Sequence, residues 1–150
     1  MDTILQKFTE ILCGSLDNQQ QIKEEKATGK QLHPYAKHVT AICNHKIINK
    51  PNNNEGIYIL EESYYIYPEK DTTELKPLLF YVRSYKNSKV LLQSIQIPER
   101  FAKEEVTNNN DQLIFDWNEL KTSSFGTATY LLHSEGYFTC LLYTSPSPRD

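Results

Sequence analysis

The chain has 150 residues and a formal charge of -3, which leaves room for one domain with a real core and argues against nucleic acid, whose phosphates need a basic surplus or stripe. A composition 39% hydrophobic and 23% charged excludes wholesale disorder, and no apolar run approaches the ~20 residues that span a bilayer. The Met1-Asp2-Thr3 start opens no secretory signal, and the widely separated Cys13, Cys43 and Cys140 fit a reducing compartment, so the expectation is a cytoplasmic protein with no membrane span.

Ile4, Leu5, Phe8, Ile11, Leu12 and Leu16 recur at helical spacing and form one stripe. Thr3 and Gln6 make a capping-box start, and Gly14 is placed to end the helix. Asp17-Asn18 caps a second short helix through Gln19 to Lys26, stopped by Thr28-Gly29. Tyr35 to Ile48 alternates as a strand with one better apolar face, and Pro51 to Asn54 is a loop.

The centre of the chain is the stretch from Gly56 to Ile97. Three runs rich in Ile, Val, Tyr and Phe are separated by a break from Pro68 to Lys76 and a turn at Lys86-Asn87-Ser88, which is the signature of consecutive strands. The last two pair as a hairpin. Along the first, Ile57, Ile59, Glu61, Ser63 and Tyr65 face one way while Tyr58, Leu60, Glu62, Tyr64 and Ile66 face the other. A sheet so rich in tyrosine on both sides suits a barrel with a partly polar lumen, and an ordinary sandwich as well.

Pro98 stops the last of these strands, and Glu99 to Val106 has one or two helical turns. Asn108 to Asp111 is a loop, and Phe115 to Leu120 begins a turn with Asp116 as cap and Trp117 as a buried anchor. Gly126 to His133 is a strand, Ser134-Glu135-Gly136 its turn, and Tyr137 to Thr139 the start of its partner. Residues 142–150 change character with two closely spaced prolines and look like a translated adaptor. The expected domain is therefore residues 1–141, ending in mid-hairpin.

Motif chemistry is sparse. The chain has no glycine-rich phosphate loop, Gly-x-Ser-x-Gly or His-Glu-x-x-His. On a regular strand His38 and His45 face opposite ways, Cys43 and His45 the same way, and no second pair at finger spacing accompanies them, so no metal site is expected. As a nucleophile and base, Cys43 and His45 are about 7 Å apart along one strand face, too far for a proton handover, which leaves Cys43 as a buried thiol. No catalytic residue is assigned.

Glu61 and Glu62 sit in an apolar strand where one must face inward, and an inward carboxylate needs a partner such as Arg83 or a tyrosine hydroxyl. Two readings stand. In one, Glu62 faces solvent and Glu61 closes a structural ion pair; in the other, Glu61 is a polar anchor in a ligand cavity. Tyr58, Tyr64 and Tyr81 add flat apolar area with polar tips, and with Glu61 and Arg83 they make up the expected ligand-binding set.

The helix followed by Asn18-Gln19-Gln20-Gln21, the His-containing segment Tyr35 to Ile48, Leu60-Glu61-Glu62-Ser63-Tyr64, Pro77 to Val82, and the return from Val90 to Ile97 with Glu99 and Phe101 resemble the CpcT/CpeT family of phycobiliprotein chromophore lyases. The order of elements agrees from about Phe8 to Phe138. Leu79 and Tyr81 stand where the family has a pair of arginines, and Gly126-Thr127 where it has Gly-Cys; Arg83 is the nearest substitute for the lost fork.

The resemblance implies an all-β, calycin-like or lipocalin-like antiparallel barrel with an N-terminal helix, incomplete at its C-terminal end. It implies binding of a bilin, a linear tetrapyrrole, as substrate or ligand rather than a tightly held cofactor, and its thioether attachment to a phycobiliprotein cysteine. Glu61 would steady a pyrrole N–H. The alternative is a non-catalytic module for a small hydrophobic ligand.

Overall fold

In the computed structural model, which describes residues 3–67, 69 and 72–144, the chain is mostly β. Helix α1 (Thr3–Leu12) leads into the edge strand β1 (Gly14–Asp17) and helix α2 (Gln19–Ala27). Strands β2 (Tyr35–Ile42), β3 (Ile47–Ile48), β4 (Ile57–Ile66), β5 (Thr73–Tyr85) and β6 (Lys89–Gln96) follow, then β7 (Phe115–Asp116), β8 (Lys121–Leu132) and β9 (Phe138–Thr144). Seven of them make one curled antiparallel sheet, a half-barrel in the order β1-β2-β4-β5-β6-β8-β9, while β3 and β7 pair in parallel as a small second sheet.

The meander follows from short local connections. Tyr85 pairs with Lys89 across a three-residue turn in which Asn87 and Ser88 take positive φ, a conformation that asparagine tolerates through its short polar side chain. Strand β5 begins at Thr73 rather than Pro77, and Pro77 lies inside it opposite Glu62. Pairing with β6 starts only at Leu79, so the missing N–H of Pro77 falls where β5 has no neighbour on that side. The expected turn start at Pro68 lies outside the described residues, as do residues 145–150 of the expected tail. Residues 142–144 pair with β8, so the boundary expected at 142 falls inside β9.

Two expectations for the first third are corrected. Tyr35 to Ile48 is not one strand: after Ile42 the chain turns through a 3-10 segment, Asn44–Lys46. The Asn44 side chain accepts from the Tyr58 N–H at 2.6 Å and donates to the Gly56 carbonyl at 3.2 Å, replacing ladder bonds with a side-chain plug. Cys43 is therefore buried while His45 is exposed, and they share no strand face. The apolar stripe of α1 is also shorter than expected. Leu5 and Phe8 are buried and Ile4 and Leu12 pack with them, but Ile11 is exposed and Leu16, 70% exposed, sits on β1, because Gly14 at φ 138 ends the helical path.

The sheet carries a core on each side. On one, α1 covers Ile57, Ile59, Val82 and Val90, with Phe8 against the rings of Tyr130 and Phe138. On the other, the long crossover from β6 to β8 lays Val106, Leu113 and Phe115 over Cys43, Tyr58, Leu60, Leu79 and Tyr81. Asp116 caps the 3-10 turn Trp117–Glu119 as expected, accepting from the Asn118 N–H at 3.0 Å. Trp117 packs on this core half-buried rather than enclosed. Arg100 holds Glu119 through two 2.8 Å bonds and keeps its carboxyl below the usual carboxylate range.

Candidate functional site

Glu61 and Glu62 are neighbours on β4, so strand alternation sends them to opposite faces. Glu62 goes to the crossover side and is 5% exposed, which corrects the expectation that it faces solvent. It survives there because donors surround it: the Tyr64 hydroxyl bonds to one oxygen, and the Asn108 backbone N–H and side-chain amide both reach the other at 2.8 Å. The same amide also reaches the carbonyls of Val39 and Leu60. Burial, and then the bond to Glu62, push the Tyr64 phenol up to about 12.

A second buried ion works on the same turn. Lys46 is only 2% exposed, and its ammonium donates to the Asn110 carbonyl at 2.6 Å. Opposite charges, one in the middle of β4 and one in the 3-10 segment Asn44–Lys46, thus pin the Asn108-Asn109-Asn110 loop to the sheet. With its donors accounted for, Glu62 is a latch on the crossover.

The aromatic residues expected to line a hollow are core on this face. Tyr58 and Tyr81 pack with ring centroids 4.7 Å apart, both buried beneath the crossover. The Tyr81 hydroxyl accepts from the Gly56 N–H at 3.0 Å, and the Tyr58 hydroxyl donates to Asn54 at 3.3 Å. A side chain at Gly56 would meet the Val82 carbonyl at 2.4 Å, so this corner has no spare room. Leu79 and Tyr81, the positions of the family's arginines, are both closed in. Arg83 is exposed, at a surface cleft of about 600 Å³ that Tyr81 also lines, with Asn53, Glu55 and Gly56. Tyr58, Tyr64, Tyr81 and Arg83 therefore share one face and Glu61 occupies the other; Tyr81 and Arg83 meet at one cleft, and Tyr64 lines another.

Glu61 stands in a different setting. Its side chain keeps 25% of its surface exposed, and its nearest partner is His38 Nδ1 at 3.6 Å. The register that pairs Thr40 with Glu61 and His38 with Ser63 gathers these four residues on the helix side. The Ser63 hydroxyl lies 2.8 Å from the same His38 nitrogen, and the imidazole edge meets the Tyr65 ring at 5.9 Å. Across the next strand Leu78 stands opposite Glu61 and lines a cleft of about 430 Å³ with Ser94 and Gln96, and with Pro77, Leu79 and Ile95 from the crossover side; the four residues of the row do not line it. α1 covers the apolar end of this face and stops short of the polar row. His38 and Ser63 were missed as a pair because the sequence separates them by 25 positions, and only the strand register makes them neighbours.

Chemically the row offers a carboxylate with free acceptor capacity, an imidazole whose Nδ1 is engaged, and a buried hydroxyl. His38 Nε2 has no protein partner among the described residues. The row can accept or relay a proton and hold an N–H donor. Its nitrogen and carboxylate supply two ligands, and no group of three metal-binding side chains occurs among the described residues. The Asn18 motif is structural in its contacts: its side chain accepts from the Ala36 N–H at 2.8 Å and donates to the Pro34 carbonyl at 3.0 Å, fastening the start of α2 to β2.

No family profile matches the chain, and no match is found among characterised proteins or among solved structures. No helix among the described residues is long and apolar enough to cross a membrane.

Proposed function

We propose that the chain is a CpcT/CpeT-like protein that lays a linear tetrapyrrole along the open half of the helix face and assists its thioether attachment to a phycobiliprotein cysteine. The observation that carries this reading is the Glu61–His38–Ser63 row: polar groups with free hydrogen-bonding capacity beyond the apolar end of the helix face, one strand across from Leu78, which lines a cleft of about 430 Å³. Clefts of roughly 300–1,000 Å³ with a few convergent polar groups are the usual form of small-molecule sites.

Each residue then has a role. Glu61 accepts a pyrrole N–H, and Leu78 gives the conjugated body an apolar seat. Lys76, across from Ser63 on the same face, meets a propionate in place of the family's arginines. The attacking thiol surrenders its proton to His38 Nε2, its sulfur bonds to the exocyclic vinylidene carbon, and the proton returns to the adjacent ring carbon. Glu61 steadies the imidazolium between these transfers. The protein's contribution is to hold both reactants in reach and exclude water.

The test is co-expression with bilin-synthesis enzymes and a phycobiliprotein subunit, reading covalent pigment on denaturing gels. Pigment above the spontaneous level, reduced about tenfold or more by Glu61→Gln or His38→Ala, is the expected result. Pigment that co-purifies but is lost on denaturation would assign the chain to the non-catalytic binding class. No pigment in either form would end the proposal.

A further inference from the structure

We propose that the groove between α2 and the paired ends of β2 and β4 binds a small amphiphilic anion, with a flat apolar body and a carboxylate or similar charge. This site is separate from the Glu61 row and goes beyond the function proposed above.

The groove has two connected parts. One, of about 540 Å³, has a floor of Ile22, Tyr35, Ile66 and Tyr67 with Lys23 and Lys26 at its edge. The other, of about 430 Å³, shares Tyr35 and Ile66 and carries Lys37, Tyr64 and the Glu62 carboxylate. Ile66 leaves 41% of its surface exposed here. An isoleucine flanked by two tyrosines gives a ligand ring a flat apolar face.

Charge decides the class of ligand. In the sequence Lys23, Lys26 and Lys37 are interleaved with Glu24 and Glu25. In the fold those acids are engaged elsewhere. Glu25 accepts the N–H groups of Leu32 and His33 at 2.8 and 2.9 Å and pairs with the His33 ring. Glu24 bonds Gln20 on another face of α2. Asp17 is taken by the Gln19 N–H, Glu74 by Tyr67 and Lys76, and Glu62 by its latch. None of the three lysines makes an ion pair among the described residues. The charged residues lining the two parts are three lysines and one carboxylate, Glu62, so a chain with a net charge of -3 presents a locally cationic rim around an apolar floor, the complement of an amphiphilic anion.

The probe is 1-pyrenebutyrate, titrated by fluorescence against the whole chain, with 1-pyrenebutanol as the neutral counterpart. Saturable binding of the carboxylate, tighter than that of the alcohol and weakened by salt, is expected. The double variant Lys23→Gln/Lys26→Gln should weaken it about fivefold, and Ile66→Glu should weaken it further while far-UV circular dichroism stays unchanged. Glu61→Gln should leave it unaltered, so failure of the pigment reading does not remove this one. Equal binding of both probes, indifference to the lysines, or loss of binding with Glu61→Gln would each overturn the proposal. Displacement of the probe by oligoglutamate with no preference for the aromatic carboxylate would also overturn it, in favour of an acidic protein segment.

Discussion

Two carboxylates one residue apart on β4 live under opposite rules. Glu62, on the crossover side, is enclosed and bonded by Tyr64 and twice by Asn108; Glu61, on the helix side, has a loose 3.6 Å contact with His38 and a partly open surface. A buried carboxylate must be fully satisfied or it unfolds the region around it, so its bonding capacity is spent on the fold. A half-exposed one can leave capacity unused, and unused capacity is what a ligand requires. The two faces of one strand thus separate the work of holding the chain together from the work of binding.

Removing the enclosed acid should break this contrast most visibly. Glu62→Ala leaves the Tyr64 hydroxyl and the Asn108 backbone N–H without an acceptor, at a cost of about 3 kcal/mol in urea unfolding. Glu61→Ala removes an exposed contact and should cost under about 1 kcal/mol. Equal losses would mean that the two faces are not divided as described.

Alkaline titration sharpens the same contrast. Burial pushes the Cys43 thiol up to about 12 from its ordinary 9.0. The unfolded chain therefore releases this proton first, so stability is level below pH 9 and falls as pH rises from 9 towards 12. The slope is about 1.4 kcal/mol per pH unit, or roughly 2 kcal/mol between pH 9 and 10.5. Tyr64, raised through burial and its bond to Glu62, adds to the fall above pH 10. Urea midpoints at pH 8, 9.5 and 10.5 should show the loss in the wild-type chain and a shallower slope in Cys43→Ala. An unchanged slope in the variant would place the alkaline sensitivity elsewhere.

Much of the architecture was legible because its causes are local. Pro98, the Lys86 to Ser88 turn and the Ser134 to Gly136 turn mark strand ends by residues that fix or free the backbone, and all three connections are found where expected. The alternation that divides Glu61 from Glu62 was equally plain. Which of the two would be enclosed was not, since the answer depends on Asn108, 46 positions away, in a loop whose composition says only that it is polar. Lys46 reads as a surface residue until the crossover folds over it. The break after Ile42 depends on the Asn44 side chain bonding across to Tyr58, a competition between side chain and ladder that no periodicity records.

The smallest predicted effect tests the division most closely. Glu61→Gln keeps the shape and hydrogen-bonding reach of the side chain and removes its charge, so its unfolding free energy should stay within about 0.5 kcal/mol of wild type. In the same protein the effect of His38→Ala should also be small, because the imidazole is partly exposed and its contacts with Glu61 and Ser63 join two strands that the ladder already pairs. A loss comparable to that of Glu62→Ala in either variant would show that the polar row, like the latch, is committed to the fold. A flat stability profile leaves its capacity available to a ligand, since a charged residue that is three-quarters enclosed, yet costs the fold nothing when removed, is held there by something other than stability.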